Sequence, residues 1–446
     1  MTAVRSIAAD ADAIADEHRL RRRITRDSLW MFSGYAVTAG SGFLFWIVAA
    51  MVVPQHELGV DASILSAMAA AAALAASGTG SAMVVMVPAS GASGRTILQR
   101  GHIVTAIAAA VLGTLAGAFV SLLLPQSLPP VVVIPLVAAG TVVWALFTLQ
   151  ATALPAVGEA RATLFVAGGA NILKLAAMAA LALTAVGAFA HPVLVTTLAP
   201  AALAVGVSMF VIVPRAQRRE AETVQAQREW GPELSRTFRR FTVHNTVAVG
   251  LVLSIGLSLS FLVAVLSSPS QGAIFAIAYQ FGTALDLIGV GVAVSLARSA
   301  AADFATSSRL ARGFTVRLVV TVAAMGIAVT AITPVMFLLL GPEYDPLYGV
   351  AVVGALAAAS VVRPGYDVWS ALVRAQHRVR PVLFGNAVYA AIVIALVILT
   401  VPTLGALGAA LAVFGGACAL AVIGVAGLRR VSTTTPQTLR LEGATA

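Results

Sequence analysis

Four charged side chains interrupt long apolar stretches of this sequence, and their chemistry is the most informative that the chain offers. They are Lys174, Asp286, Arg363 and Asp367. A charge in the middle of a hydrocarbon layer costs about 2.5–3.5 kcal/mol, so such side chains usually face a polar cavity or an opposite charge. A guanidinium can hold phosphate oxygens bidentately, and an ammonium attracts them as a point charge. We predict that Lys174 and Arg363 bind a phosphate or diphosphate, with Asn171 beside Lys174 as a further contact.

The two carboxylates suggest a second chemistry, the uptake and release of a cation. Asp286 is a candidate for protonation during a working cycle, because removal from water favours the neutral form of a carboxyl group. Asp367 is the second candidate for coupling to H⁺ or Na⁺. Structural alternatives remain open: Asp367 lies four residues after Arg363 and could simply neutralise it, and Asp286 could pair with Lys174. A helix break at Pro364 would turn the Arg363 side chain toward a cavity.

Signatures of catalysis are missing from the sequence. It contains no HExxH, no GxxxxGK[ST] and no CxxC, and no polar segment is long enough to house an active site outside the apolar stretches. The single cysteine, Cys418, excludes an internal disulfide and a cysteine metal cluster. We therefore predict that the protein is not an enzyme and holds neither a metal ion nor a cofactor. His102 and His377 fall in predicted loops, where we expect them to be solvated.

The composition indicates that a lipid bilayer is the solvent of this chain. Of its 446 residues, 59% are hydrophobic and only 10% are charged, with a mean hydropathy of +0.95. A soluble domain of this composition would leave large apolar patches in water. The apolar blocks have the length of about 20 residues that a helix needs to cross the hydrocarbon core. Twelve spans are predicted, at about 29–53, 61–87, 102–124, 131–153, 163–187, 192–213, 241–266, 272–297, 314–340, 347–373, 382–401 and 404–428.

The distribution of basic residues supports an even number of spans. Cytoplasmic loops of membrane proteins carry the excess of Arg and Lys. The six predicted outward loops, QHEL, PQSLPP, FAHP, SSPSQ, GPEYDP and VPT, contain neither residue. The net charge of +10 therefore indicates topology and attraction to anionic membrane lipids, and we predict no binding of nucleic acid. Both termini are expected in the cytoplasm, and the protein in the cytoplasmic membrane.

A long basic segment divides the predicted spans into two groups of six. This arrangement is typical of transporters built from parallel repeats. The predicted organisation is a cytoplasmic tail (1–28), an N-lobe (29–213), a basic cytoplasmic linker (214–240), a C-lobe (241–428) and a cytoplasmic C-terminal tail (429–446). The predicted fold class is an all-α integral membrane protein of about twelve helices in two six-helix lobes.

Several sequence segments resemble the polysaccharide transporter, or O-antigen flippase, branch of the multidrug/oligosaccharidyl-lipid/polysaccharide (MOP) exporter superfamily. They are FWIVAAMVVPQHELGVDASIL followed by SGTGSAMV, FLLLGPEYDPLYGVAVVGAL, and the pair GEARATLFVAGGANIL and QHRVRPVLFGNAVY. The sequence departs from the family pattern near the end of span 1, where Met51 or a neighbour replaces an arginine. The resemblance implies a MATE/MOP-like fold of two lobes around a V-shaped cavity that opens alternately to each side.

The resemblance also implies a function: translocation of a lipid-linked oligosaccharide, or export of polysaccharide precursors, by alternating access. The substrate would be a lipid-linked sugar diphosphate, and the partners would be membrane lipids and the glycosyltransferases and polymerase of a polysaccharide pathway. Three alternatives remain open from the sequence. They are a cation-coupled multidrug exporter of the same superfamily, a major-facilitator transporter, and a scaffold for polysaccharide assembly that transports nothing.

Overall fold

The computed structural model describes residues 37–38, 40–89, 93–124, 129–184, 191–216, 231–302, 304–376 and 380–433. Within these ranges every regular element is a helix. Eight helices are long and apolar enough to cross a membrane, and two shorter apolar helices, Gly40–Val52 and Leu251–Leu266, accompany them. The predicted all-α membrane fold class is confirmed.

The helices are numbered here in chain order. Seven precede the middle of the chain or lie at it: α1 Gly40–Val52, α2 Gln55–Ala89, α3 Gly94–Leu123, α4 Pro130–Ala156, α5 Ala160–Thr163 continued by Leu164–Gly168 and Gly169–Thr184, α6 Pro192–Val207 continued by Ser208–Ile212, and α7 Pro232–Asn245 continued by Thr246–Gly250 and Leu251–Leu266. Five follow: α8 Pro269–Ala302, α9 Phe304–Leu340, α10 Pro346–Val362, α11 Pro364–Ala375 and α12 Arg380–Thr433. Apart from a few terminal residues and the α10–α11 junction, helices occupy the described parts of all twelve predicted spans.

The last helix, α12, is folded in two at Gly405. This glycine has φ +55°, and a Cβ there would lie 2.4 Å from Oε1 of Gln271. Beyond it the chain returns along itself, because the Thr400 hydroxyl donates to the Gly408 carbonyl at 2.9 Å. The turn is held from outside by Gln271 Oε1, which accepts from the Ala406 amide at 2.9 Å. The 54 residues of α12 therefore supply two antiparallel arms, as the predicted turn VPT requires.

Proline and aspartate explain where several helices begin. Proline is tolerated in the first turn because its missing N–H would have no partner there. Six described helices or helix segments start with it, at Pro130, Pro192, Pro232, Pro269, Pro346 and Pro364. Before α10, the Asp345 side chain also accepts from the amides of Leu347 and Tyr348, at 2.9 and 3.4 Å, and so satisfies two free donors of the first turn.

The chain divides into two compact units. Unit 1 comprises Met1–Val48, Met68–Leu122 and Ser127–Ser254, and unit 2 comprises Ala49–Ala67, Leu123–Gln126 and Ile255–Ala446. The predicted boundaries of the lobes and linker stay a prediction. Residues 1–28 and 434–446 of the predicted tails, and 217–230 of the predicted linker, lie outside the described residues.

Small residues bring the helices of unit 1 close together. A Cβ on Gly113 of α3 would lie 2.7 Å from Cβ of Thr141 on α4, so only glycine permits this approach. Close helix contact of this kind replaces the hydrophobic driving force that lipid cannot supply. A second apolar cluster joins the ends of α2, α3 and α4 to Phe238 in the first segment of α7.

Unit 2 has two apolar clusters of its own. Leu285 on α8 packs with Leu318 and Val322 on α9 and with Ala357 on α10. Tyr366 and Trp369 on α11 pack with Val373, Val382 and Leu420, which fixes α11 against both arms of α12. Arg363 lies between α10 and α11, at the point where these packed helices meet, and this places it within a rigid frame.

Candidate functional site

The junction between α10 and α11 positions Arg363. Pro364 has no N–H to continue the hydrogen-bond ladder, so α10 ends at Val362 and α11 begins at Pro364. Arg363 itself keeps helical torsion angles, φ −71° and ψ −29°, and its carbonyl accepts from the amides of Tyr366 and Asp367. The break expected at Pro364 is therefore present, and it takes the form of a short interruption.

Arg363 joins two carboxylates in unit 2. Its Nη1 donates to Asp286 Oδ2 on α8 at 2.9 Å, and its Nε lies 3.5 Å from Asp367 Oδ1 on α11. The other oxygen of Asp286 accepts from the Ser360 hydroxyl at 2.8 Å. The structure thus brings together three of the predicted site residues. Both pairings with Arg363 occur at once, and Asp286 has Arg363 and Ser360 as its partners.

This acidic triad, defined as Asp286, Arg363 and Asp367, carries one net negative charge when both carboxyl groups are ionised. The side chains of Asp286 and Arg363 are each 34% exposed, and that of Asp367 is 15% exposed. Arg363 Nε is buried and makes no hydrogen bond to the described residues. Charge and geometry together suit a group that exchanges a cation, because loss of one proton or ion changes the balance around a single guanidinium.

Two tyrosines lie within electrostatic range of the triad. Tyr279 is on α8, two helical turns before Asp286, and Tyr389 is on the first arm of α12; both interact with Arg363. The Tyr279 ring also stacks on Phe275, with 5.5 Å between the ring centroids. The triad therefore has aromatic and hydroxyl groups around it as well as charges.

Lys174 occupies an aromatic environment in unit 1. Its Nζ lies 3.8 Å from the centroid of the Phe45 ring and 5.9 Å from that of Trp46. These two rings pack edge to face, and Lys174 is only 8% exposed. No carboxylate of the described residues lies within ion-pair distance of the Lys174 ammonium group. The lysine is held by the electron-rich faces of α1 side chains and lacks an anionic partner in the described part of the chain.

Asn171 lies near Lys174 in sequence but serves its own helix. Its Nδ2 donates to the Ala167 carbonyl at 2.8 Å. Ala167 belongs to the π-helical turn Leu164–Gly168, in which one extra residue disturbs the regular hydrogen bonds. The side-chain oxygen of Asn171 has no hydrogen-bond donor among the described residues, so it is the part of this side chain that a ligand could use.

A buried polar chain in unit 1 was not expected from the sequence. His102 was predicted to lie in a solvated loop, but it belongs to α3 and is 6% exposed. Its Nδ1 lies 2.7 Å from the Leu98 carbonyl, and Gln150 Nε2 lies 3.3 Å from its Nε2. Gln150 Oε1 accepts from the Ser208 hydroxyl at 2.6 Å. A carbonyl can only accept, so Nδ1 carries the proton, and a neutral imidazole then completes every bond.

Sequence reasoning missed the residues that surround the predicted site. Ser360 is one helical turn before Arg363, and Tyr279 is seven residues before Asp286, so helical periodicity places each on the same face as a predicted residue. Phe45 and Tyr389 come from distant helices, and no local pattern indicates them. Periodicity would have found the first pair, whereas only the tertiary structure reveals the second.

Comparison with known proteins gives structural relatives but no sequence relatives. No family model and no curated protein sequence matches the chain. An inward-facing multidrug resistance MATE family transporter of the MOP superfamily matches it with TM-score 0.63 and 15% identity, over 89% of this chain and 94% of the other. A MATE in its straight conformation matches with TM-score 0.61 and 16% identity, over 92% and 96%. The chain has the MATE fold.

A third structure with the MATE fold shows that this fold accommodates different pockets. It is a MOP superfamily transporter from Pyrococcus furiosus, described as having a binding pocket of reverse polarity that suggests a different function. Its TM-score is 0.61 and its identity 15%, over 92% of this chain and 95% of that one. At this level of identity the match establishes the MATE fold alone, so the function must be argued from the side chains.

Proposed function

We propose that this protein is a secondary transporter that moves a lipid-linked oligosaccharide across the cytoplasmic membrane by alternating access. The MATE fold supports transport, because its structural relatives are transporters. The substrate class rests on one observation, the buried ammonium group of Lys174. It lies against the Phe45 and Trp46 rings and has no carboxylate partner among the described residues.

The energetics of Lys174 favour an anionic ligand. A cation at the centre of a membrane span costs about 2.5–3.5 kcal/mol. A cation over an aromatic face recovers about 0.5–1 kcal/mol when exposed and about 2 kcal/mol when desolvated. The rings therefore leave part of the cost uncompensated. A phosphate group on a passing substrate would complete the compensation, which gives Lys174 a reason to be retained inside the protein.

The polar part of such a substrate explains why a protein is needed at all. Each sugar hydroxyl that loses its hydrogen bonds in hydrocarbon costs several kcal/mol, or about 2–7 kcal/mol by different reference scales. A transporter lowers this barrier by giving the head group a polar path while the hydrocarbon tail remains in lipid. Glycosyltransferases would supply the lipid-linked sugar and a polymerase would use it.

The acidic triad of unit 2 would couple this movement to an ion gradient. Asp286 and Asp367 share one guanidinium, so binding of H⁺ or Na⁺ would neutralise the excess charge of the triad. One elementary charge crossing the membrane provides about 2.3 kcal/mol per 100 mV. This amount is enough to bias the direction of transport.

The direct test is translocation of a fluorescent lipid-diphosphate sugar in proteoliposomes. The intact protein is compared with Lys174→Met, which keeps the length of the side chain and removes the charge, and with protein-free liposomes. The proposal expects translocation by the intact protein and its loss in Lys174→Met. Absence of translocation by the intact protein, reconstituted in a folded state, would overturn it.

The acidic triad also supports a second candidate, a cation-coupled multidrug exporter. A net negative cluster attracts cationic drugs, and it leaves Arg363 largely engaged with carboxylates. This candidate predicts that Asp286→Asn abolishes export of cationic dyes, whereas Lys174→Met leaves it unchanged. The flippase proposal predicts sensitivity to Lys174 with a lipid-linked substrate, so the two candidates are separated by substrate and by variant.

A further inference from the structure

An apolar groove in unit 2 has no role in the site described above. It has a volume of about 800 Å³ and lies between α9 and α10, with Phe414 of α12 at its base. Its walls are made mainly of small residues, among them Gly326, Gly354 and Ala358. Thr330 is the one lining residue with a hydroxyl group. A groove with these walls cannot hold a sugar, because it offers almost no hydrogen-bond partners.

The groove opens toward the outside of unit 2 and ends beside the acidic triad. Ile327, on its rim, is 71% exposed. Along α10 the lining runs from Val350 to Val362, a distance of about 18 Å at the helical rise. The next residue after Val362 is Arg363, whose buried Nε has no hydrogen-bond partner among the described residues. An elongated apolar occupant would thus bring its polar end to a free N–H donor.

We propose that this groove binds the hydrocarbon tail of the lipid-linked substrate, with an oxygen of the head group reaching Arg363 Nε. The inference rests on the proposed function and specifies where that substrate is held. The occupant is argued from three features: an apolar lining, an opening on the exposed face of a membrane-spanning helix, and continuity with a charged residue at one end. A water-soluble drug would use only the last of these features.

The small residues of the groove allow a direct test by filling it. A Cβ on Gly354 would approach only Thr330 Cγ2, at 3.6 Å, which is ordinary van der Waals contact. Gly354→Leu and Ala358→Leu would therefore extend into the groove from α10. Ala351 is exposed on the same helix and does not line the groove, so Ala351→Leu is the matched control.

The probe is a long-chain isoprenyl diphosphate with a photoreactive diazirine near the end of its chain. The full-length protein is placed in nanodiscs of phosphatidylethanolamine and phosphatidylglycerol, irradiated, and the labelled peptides are identified by mass spectrometry. We expect labelling of α9 and α10, at least tenfold weaker in Gly354→Leu and Ala358→Leu, and unchanged in Ala351→Leu. Labelling spread evenly over the helices, or unaffected by filling, would mean that the groove holds bulk lipid chains and would overturn the inference.

Translocation of the same lipid, measured in parallel, separates this inference from the proposed function. If the intact protein translocates the lipid but is not labelled in the groove, the tail site is wrong and the proposed function stands. If the groove is labelled but no translocation occurs, the tail site stands and the proposed function is wrong. Gly354→Ala adds a single methyl group and should weaken labelling less than Gly354→Leu, which guards against loss of folding in the larger variant.

Discussion

Arg363 Nη1 donates to Asp286 Oδ2 at 2.9 Å, and this bond joins the α10–α11 junction to α8. The same guanidinium lies 3.5 Å from Asp367, so one cation holds two carboxylates from different helices. Removing one partner of a buried ion pair is costly because the other charge remains uncompensated. The triad is therefore a stability element as well as a candidate coupling site, and experiments must separate these two roles.

Loss of the Arg363 charge should destabilise unit 2. We expect Arg363→Met to lower the free energy of unfolding by about 3 kcal/mol, the lower end for a buried pair because the side chain is 34% exposed. Thermal unfolding of the purified protein in detergent measures the change. Arg374→Met on α11 is the control, because Arg374 is exposed and should change stability by less than about 0.5 kcal/mol.

A double substitution separates the pair from its surroundings. Adding Asp286→Asn to Arg363→Met should recover part of the lost stability, with a coupling energy of about 0.5–3 kcal/mol. Additive effects of the two substitutions would show that the contact at 2.9 Å contributes nothing.

The buried chain from His102 through Gln150 to Ser208 should stabilise unit 1. Gln150→Met removes the central member and leaves the Ser208 hydroxyl and His102 Nε2 without partners, at a cost of about 1–3 kcal/mol. Thr148→Val on the same helix is the control, because the Thr148 hydroxyl bonds only to the Ala145 carbonyl of its own helix. Equal unfolding temperatures for Gln150→Met and Thr148→Val would contradict this role.

The turn of α12 should tolerate only glycine at position 405. Gly405→Ala puts a side chain in the left-handed region, which costs about 1–2 kcal/mol, and directs it at Gln271 Oε1. The expected result is a lower unfolding temperature. Gly206→Ala within α6 has no atom within 4 Å of the new Cβ and should instead stabilise, by about 0.5–1 kcal/mol. A similar response to both substitutions would refute the need for a positive φ at Gly405.

Tyr344 should make stability sensitive to alkaline pH. Its hydroxyl is buried and has no hydrogen-bond partner among the described residues, and burial together with the charge of Glu343 raises its pKa. The folded state then binds this proton more tightly than the unfolded state, so its contribution is complete below about pH 10 and is lost at higher pH. Tyr344→Phe should remove this alkaline loss in unfolding experiments between neutral and alkaline pH. An unchanged pH profile would contradict the assignment.

Particular residues show how much the sequence could predict. Composition and block length were enough for the helices, because hydrocarbon leaves no alternative for unpaired backbone groups, and Pro364 was enough for the break beside Arg363. Arg363 and Asp367 could be paired from their spacing of four residues. The contact of Arg363 with Asp286, the Phe45 ring over Lys174, and the burial of His102 depend on packing between distant segments. His102 was misplaced because its neighbours Arg95 and Arg100 indicated a loop, whereas α3 begins at Gly94 and carries them within the helix.

The most direct test of the central claim is the affinity of the purified protein for a lipid-diphosphate sugar, measured for the intact chain, Lys174→Arg and Lys174→Met. A hydrogen bond to a charged group is worth about 1.5–3 kcal/mol, so Lys174→Met should weaken binding roughly 10- to 150-fold. Lys174→Arg retains the charge and should stay much closer to the intact protein. Equal affinity of the intact protein and Lys174→Met would contradict the claim that Lys174 recognises the anionic part of the substrate.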